Sequence, residues 1–165
     1  MKKITLAGGC FWGVEGYFDQ LKGVLDTTVG YIDGNKKNPT YKEVCSGAAT
    51  HAEAMEVFYD ENVIKLDMVL EHFFRIIDPF SRNRQGHDIG RQYRTGIYYD
   101  VEEDKEKVLS FMQNMFGPDL KRVQTEVKQN LDFEAAETYH QDYLKKNPGG
   151  YCHVDLNLAK PEEKK

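Results

Sequence analysis

The stretch His51-Ala52-Glu53-Ala54-Met55-Glu56-Val57-Phe58-Tyr59, with the segment Asp67-Met68-Val69-Leu70-Glu71-His72-Phe73-Phe74-Arg75-Ile76-Ile77 that follows it, decides the fold. Side chains alternate along a strand, so His51, Glu53, Met55, Val57 and Tyr59 share one face of an extended segment. In the second segment Leu70, Phe73, Phe74 and Ile77 recur at the i, i+3, i+4, i+7 spacing of an amphipathic helix. Asp67 is the expected N-cap, and the helix stops before Pro79.

The same two periods extend outward. Lys2 to Leu6 reads as a strand running into Gly8-Gly9. A helix opens at Cys10 and carries Val14, Tyr17, Phe18 and Leu21. Leu25 to Ile32 is a strand ending in the turn Asp33-Gly34-Asn35, and Arg94 to Tyr99 is another. A helix spans Glu102 to Phe116, with Val108, Met112 and Met115 inward and Gly117-Pro118 as its stop. Val123, Thr125 and Val127 alternate with Gln124, Glu126 and Lys128 as in a half-buried strand. Asp132 is read as capping a last helix with Phe133, Ala136, Tyr139 and Tyr143, ended by Asn147-Pro148. Interleaved elements with polar alternation in several strands predict an α+β fold (an α/β sandwich). Its core is a ferredoxin-like split βαβ unit: a mixed sheet, helices packed on it, and long irregular loops. One domain is expected over 1–158. Residues 159–165 form a charged tail, of which Lys160-Pro161-Glu162-Glu163-Lys164-Lys165 is expected to fray.

The chain has 165 residues, 40% hydrophobic and 30% charged, and its 22 basic and 27 acidic residues give −5. That length supports one core without staples, and that charge excludes a general affinity for phosphate backbones. No apolar run approaches the roughly 18 residues of a membrane span. The apolar stretch Ile4-Thr5-Leu6-Ala7 is also shorter than the roughly 7–15 residues of a signal segment. Three cysteines, Cys10, Cys45 and Cys152, leave one thiol unpaired in any disulfide scheme. The expectation is a monomer in the reducing cytoplasm.

Four places carry candidate chemistry. In Gly8-Gly9-Cys10-Phe11-Trp12-Gly13 a cysteine at a helix start faces free N–H groups and the positive end of the helix dipole. Both favour the nucleophilic thiolate, with Phe11 and Trp12 as an apolar wall; a buried cysteine beside two core aromatics is the other reading. Glu53 lies on an apolar face, where burial would raise its pKa and keep it a proton donor, unless it sits solvated at the strand's open end. Arg82-Asn83-Arg84-Gln85-Gly86-His87-Asp88-Ile89-Gly90-Arg91-Gln92-Tyr93-Arg94 is either a functional loop or a solvated one. In Asn147-Pro148-Gly149-Gly150-Tyr151-Cys152 a cysteine on a Gly-rich segment suits a resolving thiol, or is a surface thiol without a role. Cys45 is read as a small buried hydrophobe. The spacing of Cys45, His51, Cys152 and His153 matches no zinc pattern, so no metal is expected.

Seven blocks in order then resemble one family, peptide methionine sulfoxide reductase type A, over nearly the whole chain. They are Gly9-Cys10-Phe11-Trp12-Gly13, Pro39-Thr40-Tyr41-Lys42-Glu43-Val44-Cys45-Ser46-Gly47, His51-Ala52-Glu53, Arg84-Gln85-Gly86-His87-Asp88-Ile89-Gly90, Gln92-Tyr93-Arg94, Tyr139-His140-Gln141 and Asn147-Pro148-Gly149-Gly150-Tyr151-Cys152. The resemblance implies reduction of methionine-S-sulfoxide in peptides, and leaves open whether the free amino acid is also a substrate. Cys10 would attack the sulfoxide sulfur, Phe11 and Trp12 would receive the methyl group, and Glu53 would protonate the oxygen. Tyr41, Asp88 and Tyr93 would hold that oxygen or a water beside it, with His140 lining the site. The resemblance also implies that Cys152 condenses with a Cys10 sulfenic acid to a disulfide. No bound cofactor is implied; external thioredoxin is the reductant. Two departures stand out: no second recycling cysteine follows Cys152, and His87 stands where asparagine is expected. A thiol peroxidase and a non-catalytic binder of oxidised methionine are the rival readings.

Overall fold

The computed structural model of the chain describes residues 1–165. Strand β1 (Lys2–Gly8) leads through Gly9 to helix α1 (Phe11–Asp19), with Cys10 at its N-cap. β2 (Val24–Ile32) is followed by the short helix α2 (Tyr41–Ser46), β3 (Ala52–Tyr59) and α3 (Leu66–Ile76). A tight hairpin of β4 (Arg84–Gln85) and β5 (Asp88–Ile89) precedes β6 (Thr95–Tyr99) and α4 (Glu102–Phe116). β7 (Glu126–Gln129), β8 (Glu134–Ala135) and α5 (Tyr143–Lys146) complete the set.

The main sheet has the order β7-β6-β1-β3-β2-β8. Only β6 and β7 run parallel; the other pairs are antiparallel. α1 joins β1 to β2 with β3 inserted between them, and α3 joins β3 to β6 with β1 inserted. That is the split βαβ arrangement twice over, the ferredoxin-like core expected from the alternation.

The two faces of the sheet are unequal. Ile4, Leu6, Val29, Tyr31, Met55 and Val57 join Val14 and Phe18 of α1 and Leu70 and Phe73 of α3 in a cluster of 29 buried residues. The opposite face holds only Ala7, Ile32, Ala52, Ala54 and Tyr98, with Phe133 against them. Glu53 follows the period of Met55 and Val57, so its side chain falls on the thick, helix-covered face.

Several expectations are corrected. The last helix does not form, because Glu134–Ala135 pairs with β2 and the Ala136 N–H donates to Val29 O at 2.9 Å. The partner's open edge outweighs the helical period. Asp142 then takes a left-handed φ of 54°, which separates the 3₁₀ turn Thr138–His140 from α5. Asp132 accepts instead from the Asp33 N–H (2.9 Å) and Gly34 N–H (3.2 Å), tying down that turn. α3 starts one residue before Asp67, behind Lys65. Val123 to Thr125 precede the strand, since the Gln124 N–H donates to Pro79 O at 2.7 Å. Met115 is exposed, while Phe111 and Phe116 pack against the core. The charged tail is held rather than frayed. Arg75 grips Glu163 bidentately (2.7 and 3.1 Å), Lys22 N–H donates to Glu163 O, and Lys165 N–H donates to Gln20 O.

Gly30 is where β8 closes on β2: a Cβ there would lie 2.2 Å from Glu134 O and 2.5 Å from the Phe133 ring. Gly30→Ala is expected to destabilise the fold by about 1–3 kcal/mol through overpacking. Urea unfolding checks this; an unchanged midpoint would mean that β8 is not seated as described.

Candidate active site

Gly9 takes a φ of 89°, a left-handed conformation suited to glycine, and a Cβ there would come within 2.9 Å of both Gln85 and His153. This lets the hairpin and the C-terminal segment close over the start of α1. Gln85 is buried and clamps Asp78 through both its amide atoms, which braces the loop from Arg82 to Arg94. The loop is therefore built around the site rather than merely solvated.

Cys10 sits at the N-cap of α1 and is only 7% exposed. The Trp12 and Gly13 N–H groups do lower its pKa, as expected at a helix start. Burial outweighs them, and Glu53 and Asp88 add to the upward push, so the resting form is the thiol. Both sequence readings hold in part: the helix start favours the thiolate, and the cysteine is buried beside its two aromatics. Glu53 is 1% exposed, which removes the solvated alternative. Its Oε1 accepts the Phe11 N–H at 3.2 Å, and its Oε2 is buried without a partner. Burial pushes its pKa up to about 8, against the opposing pull of the Phe11 N–H and with a further rise from Asp88. At neutral pH the carboxyl is protonated, with one oxygen spent on the helix and the other free to donate.

An aromatic wall surrounds this pair. The Phe11 ring lies 5.2 Å from His140, 5.7 Å from Tyr31 and 6.4 Å from Tyr41. Trp12 stacks on Tyr143 at 3.7 Å and donates from Nε1 to His140 Nδ1 at 3.0 Å. That bond places the His140 proton on Nε2, which is buried without a partner. Glu137 sets the wall: it accepts the Tyr31 hydroxyl (2.7 Å) and the Tyr41 N–H (2.9 Å). Burial first, then neighbours including Glu53, keep the Tyr41 and Tyr93 phenols un-ionised, as hydrogen-bond donors. Asp88 is half-buried with a partnerless Oδ2, and His87 beside it is exposed at the hairpin turn.

Cys152 is half-buried; its thiol donates to Val154 O at 3.0 Å, and Sγ lies 3.0 Å from where a Gly13 Cβ would be. It therefore rests on the first turn of α1, three residues along from Cys10. Cys45 is exposed, not buried; Val44 is the inward residue of α2. All three cysteines are free thiols. Tyr31, Glu137 and Tyr143 had no signal as site residues in the sequence beyond their residue types, whereas Gln85 stood in the candidate loop and in one of the family blocks. An acidic trio, Glu15, Asp19 and Asp142, lies apart from the sulfur, its carboxylates taken up by Thr27, the Asp142 N–H and Lys145.

A buried thiol, a protonated acid and an aromatic wall suit a substrate with a polar oxygen on sulfur and an apolar methyl group. Residues 2–165 match the family model described as peptide methionine sulfoxide reductase. The chain belongs to that family. A peptide methionine sulfoxide reductase MsrA of Ureaplasma urealyticum is 49% identical over 160 residues, covering 97% of each chain. One from Clostridium tetani is 52% identical over 157 residues, covering 95% of this chain and 96% of that one. Reduced Mxr1 of Saccharomyces cerevisiae superposes with a TM-score of 0.84 at 37% identity, over 94% of this chain and 91% of its own. The same yeast protein has also been solved in complex with Trx2; that structure matches at 26% identity and a TM-score of 0.57, over 86% of this chain and 84% of that one. This chain is accordingly an enzyme that reduces methionine sulfoxide in peptides, and its α+β fold is that of the family.

Burial of Glu53 in this reductase has a pH signature. Its folded pKa is raised above the ordinary 4.5, so the folded chain binds more protons than the unfolded one between those values. Its contribution to stability therefore falls as pH rises from about 5 to about 8. Relative to Glu53→Gln, the wild type is expected to lose stability across that window in urea unfolding. A difference that stays constant from pH 5 to 8 would contradict the buried carboxyl.

Proposed function

We propose that the chain reduces methionine-S-sulfoxide with Cys10 as nucleophile and Glu53 as acid. The observation that carries this is the Glu53 carboxyl, held by the Phe11 N–H through one oxygen and unpartnered at the other. Sulfoxide oxygen leaves poorly unless protonated. Glu53 lends it a proton, and the resulting carboxylate accepts the proton of Cys10 as its sulfur attacks. This exchange answers the raised pKa of the thiol, because no free thiolate has to accumulate. Oxygen passes from the substrate sulfur to Cys10, leaving a thioether and a sulfenic acid. Phe11 and Trp12 receive the methyl group, while Tyr41, Tyr93 and Asp88 hold the oxygen or a water beside it, and His140 closes the wall. An acid on one side and an apolar wall on the other distinguish one sulfur configuration from its mirror image.

Cys152 then condenses with the sulfenic acid: an S–S bond forms, the S–O bond breaks, and water leaves. A thioredoxin-type dithiol reduces that disulfide, in keeping with the yeast relative solved with Trx2. The proposal further holds that the chain works as a monomer in the reducing cytoplasm, with an external dithiol and no bound cofactor supplying the electrons.

Methionine formation from S- and R-sulfoxide peptides with dithiothreitol tests the reading. Turnover of the S peptide alone, lost in Cys10→Ser, is expected; turnover of neither peptide by the folded chain would sink it. Glu53→Gln should lower the rate by about 10²–10⁴-fold. The wild-type rate should fall as pH rises through about 8, where the acid ionises. An unaffected Glu53→Gln would remove the acid role. With thioredoxin as the only reductant, Cys152→Ser should reduce about one equivalent of sulfoxide and stop. Multiple turnovers under those conditions would exclude Cys152 as the resolving thiol.

A further inference from the structure

His153 follows the proposed resolving cysteine and is buried against the nucleophile's turn. Its Nε2 lies 3.1 Å from Gly8 O, an atom that can only accept, so Nε2 carries the ring proton. Nδ1 then presents a lone pair and is buried without a hydrogen-bond partner. That nitrogen lies 3.4 Å from the place a Gly13 Cβ would occupy, the same spot that the Cys152 sulfur approaches to 3.0 Å. It also faces Asp88 Oδ2 at 3.7 Å, an oxygen that likewise lacks a partner. The imidazole thus lies across the turn that carries Cys10, its proton-free nitrogen between a thiol and a carboxylate.

We propose that His153 is the proton acceptor for Cys152 when that thiol condenses with a sulfenic acid on Cys10. The inference rests on the roles of Cys10 and Cys152 proposed above. The Cys152 proton passes to Nδ1, and the thiolate attacks the sulfenic sulfur. The S–S bond forms as the S–O bond breaks, and the departing oxygen takes the Glu53 proton to leave as water. His153 then yields its proton to solvent, from which Glu53 regains one. Protonated Nδ1 gains the Asp88 carboxylate as acceptor, so nucleophile, base and orienting carboxylate form one chain.

The groups that face His153 agree with this. Burial holds its pKa below the ordinary value, while the Gly8 carbonyl and Asp88 pull it back up. The ring is therefore neutral, and able to accept, at neutral pH. Gln85 on the hairpin side is uncharged, and the Tyr151 phenol is pushed up by burial first, then by a hydrogen bond to the Asp88 carboxylate and by its charge. Cys152 has a pKa raised by burial, so it needs a base to react. The pin from Nε2 to Gly8 O, with Val154 buried just beyond it, lets Cys152 swing toward Cys10 about a fixed point.

The test is a single turnover of the full chain with an S-sulfoxide peptide and no reductant. Methionine formed, Cys10 sulfenic acid trapped by dimedone, and disulfide formed are followed by mass across pH 5–9. In His153→Gln, whose amide can still donate to Gly8 O but cannot take a proton, the methionine burst should keep its wild-type rate. Disulfide formation should slow by about 10²-fold, the trapped sulfenic acid should rise, and the pH midpoint should move up toward that of a thiol. His153→Ala should recover disulfide formation when imidazole is added. An unchanged rate in His153→Gln would overturn the proposal. So would a slower rate with the wild-type pH midpoint and no imidazole rescue, since a misplaced Cys152 would do the same. No methionine burst from the wild type would instead overturn the roles of Cys10 and Cys152, and this inference with them.

Discussion

A helix start leaves N–H groups without intrahelical partners, and here one of them, from Phe11, is joined to a carboxyl group on the strand beneath. This contact organises the site. It satisfies a donor that burial would otherwise orphan, and it fixes Cys10, the residue before, over the sheet. It also explains how β3 carries an acid on its core-facing side, since the acid is half satisfied by the helix and otherwise protonated. The pairing of Tyr31 with Glu53 across β2 and β3 sets which residue arrives there. A slip of one residue would bring an alanine to that point and turn Glu53 to the thin face.

The two faces of the sheet then have different duties. The thick face builds the core from α1 and α3, and its edge becomes the reactive site. The thin face is lined by alanines, so the loop around Asp132 and Phe133 can lie close to the strands. Glu137, reached through β8, orients Tyr31 and Tyr41 and so shapes the aromatic wall from the far edge. From the other side the hairpin around Gln85 closes over the Gly9 turn that leads into α1.

The regular elements were legible because their periods are strong: Glu102–Phe116 stands at the expected bounds, and β1, β2, β3 and β6 differ at their ends by a residue or two. Cys10, Phe11, Trp12, Glu53, Tyr41, Asp88, Tyr93 and His140 do converge, with Cys152 one turn away. What failed was decided by distant partners. Residues 132–143 show a helical period, yet an open strand edge claims Glu134–Ala135, and period carries no information about edges. The tail looked free because Glu163 shows no sign in sequence of Arg75, which reaches it from α3. The charge state of Cys10 was left between two readings for a related reason. The helix start is visible in sequence, but the depth of burial that outweighs it is not.

The anchoring of Glu163 has a kinetic side. The segment that carries Cys152 is tied at one end by α5, whose Tyr143 stacks on Trp12, and at the other by the Arg75 grip. It behaves as a closed loop rather than as a loose arm. Its thiol therefore meets the Cys10 sulfur at an effective concentration on the order of millimolar or above. On the proposed cycle, a sulfenic acid formed on Cys10 would be consumed within the molecule before a scarce oxidant could return, which would keep that sulfur from the irreversible rungs of oxidation. In that cycle a salt bridge far from the reacting atoms would bear on how many turnovers one molecule survives.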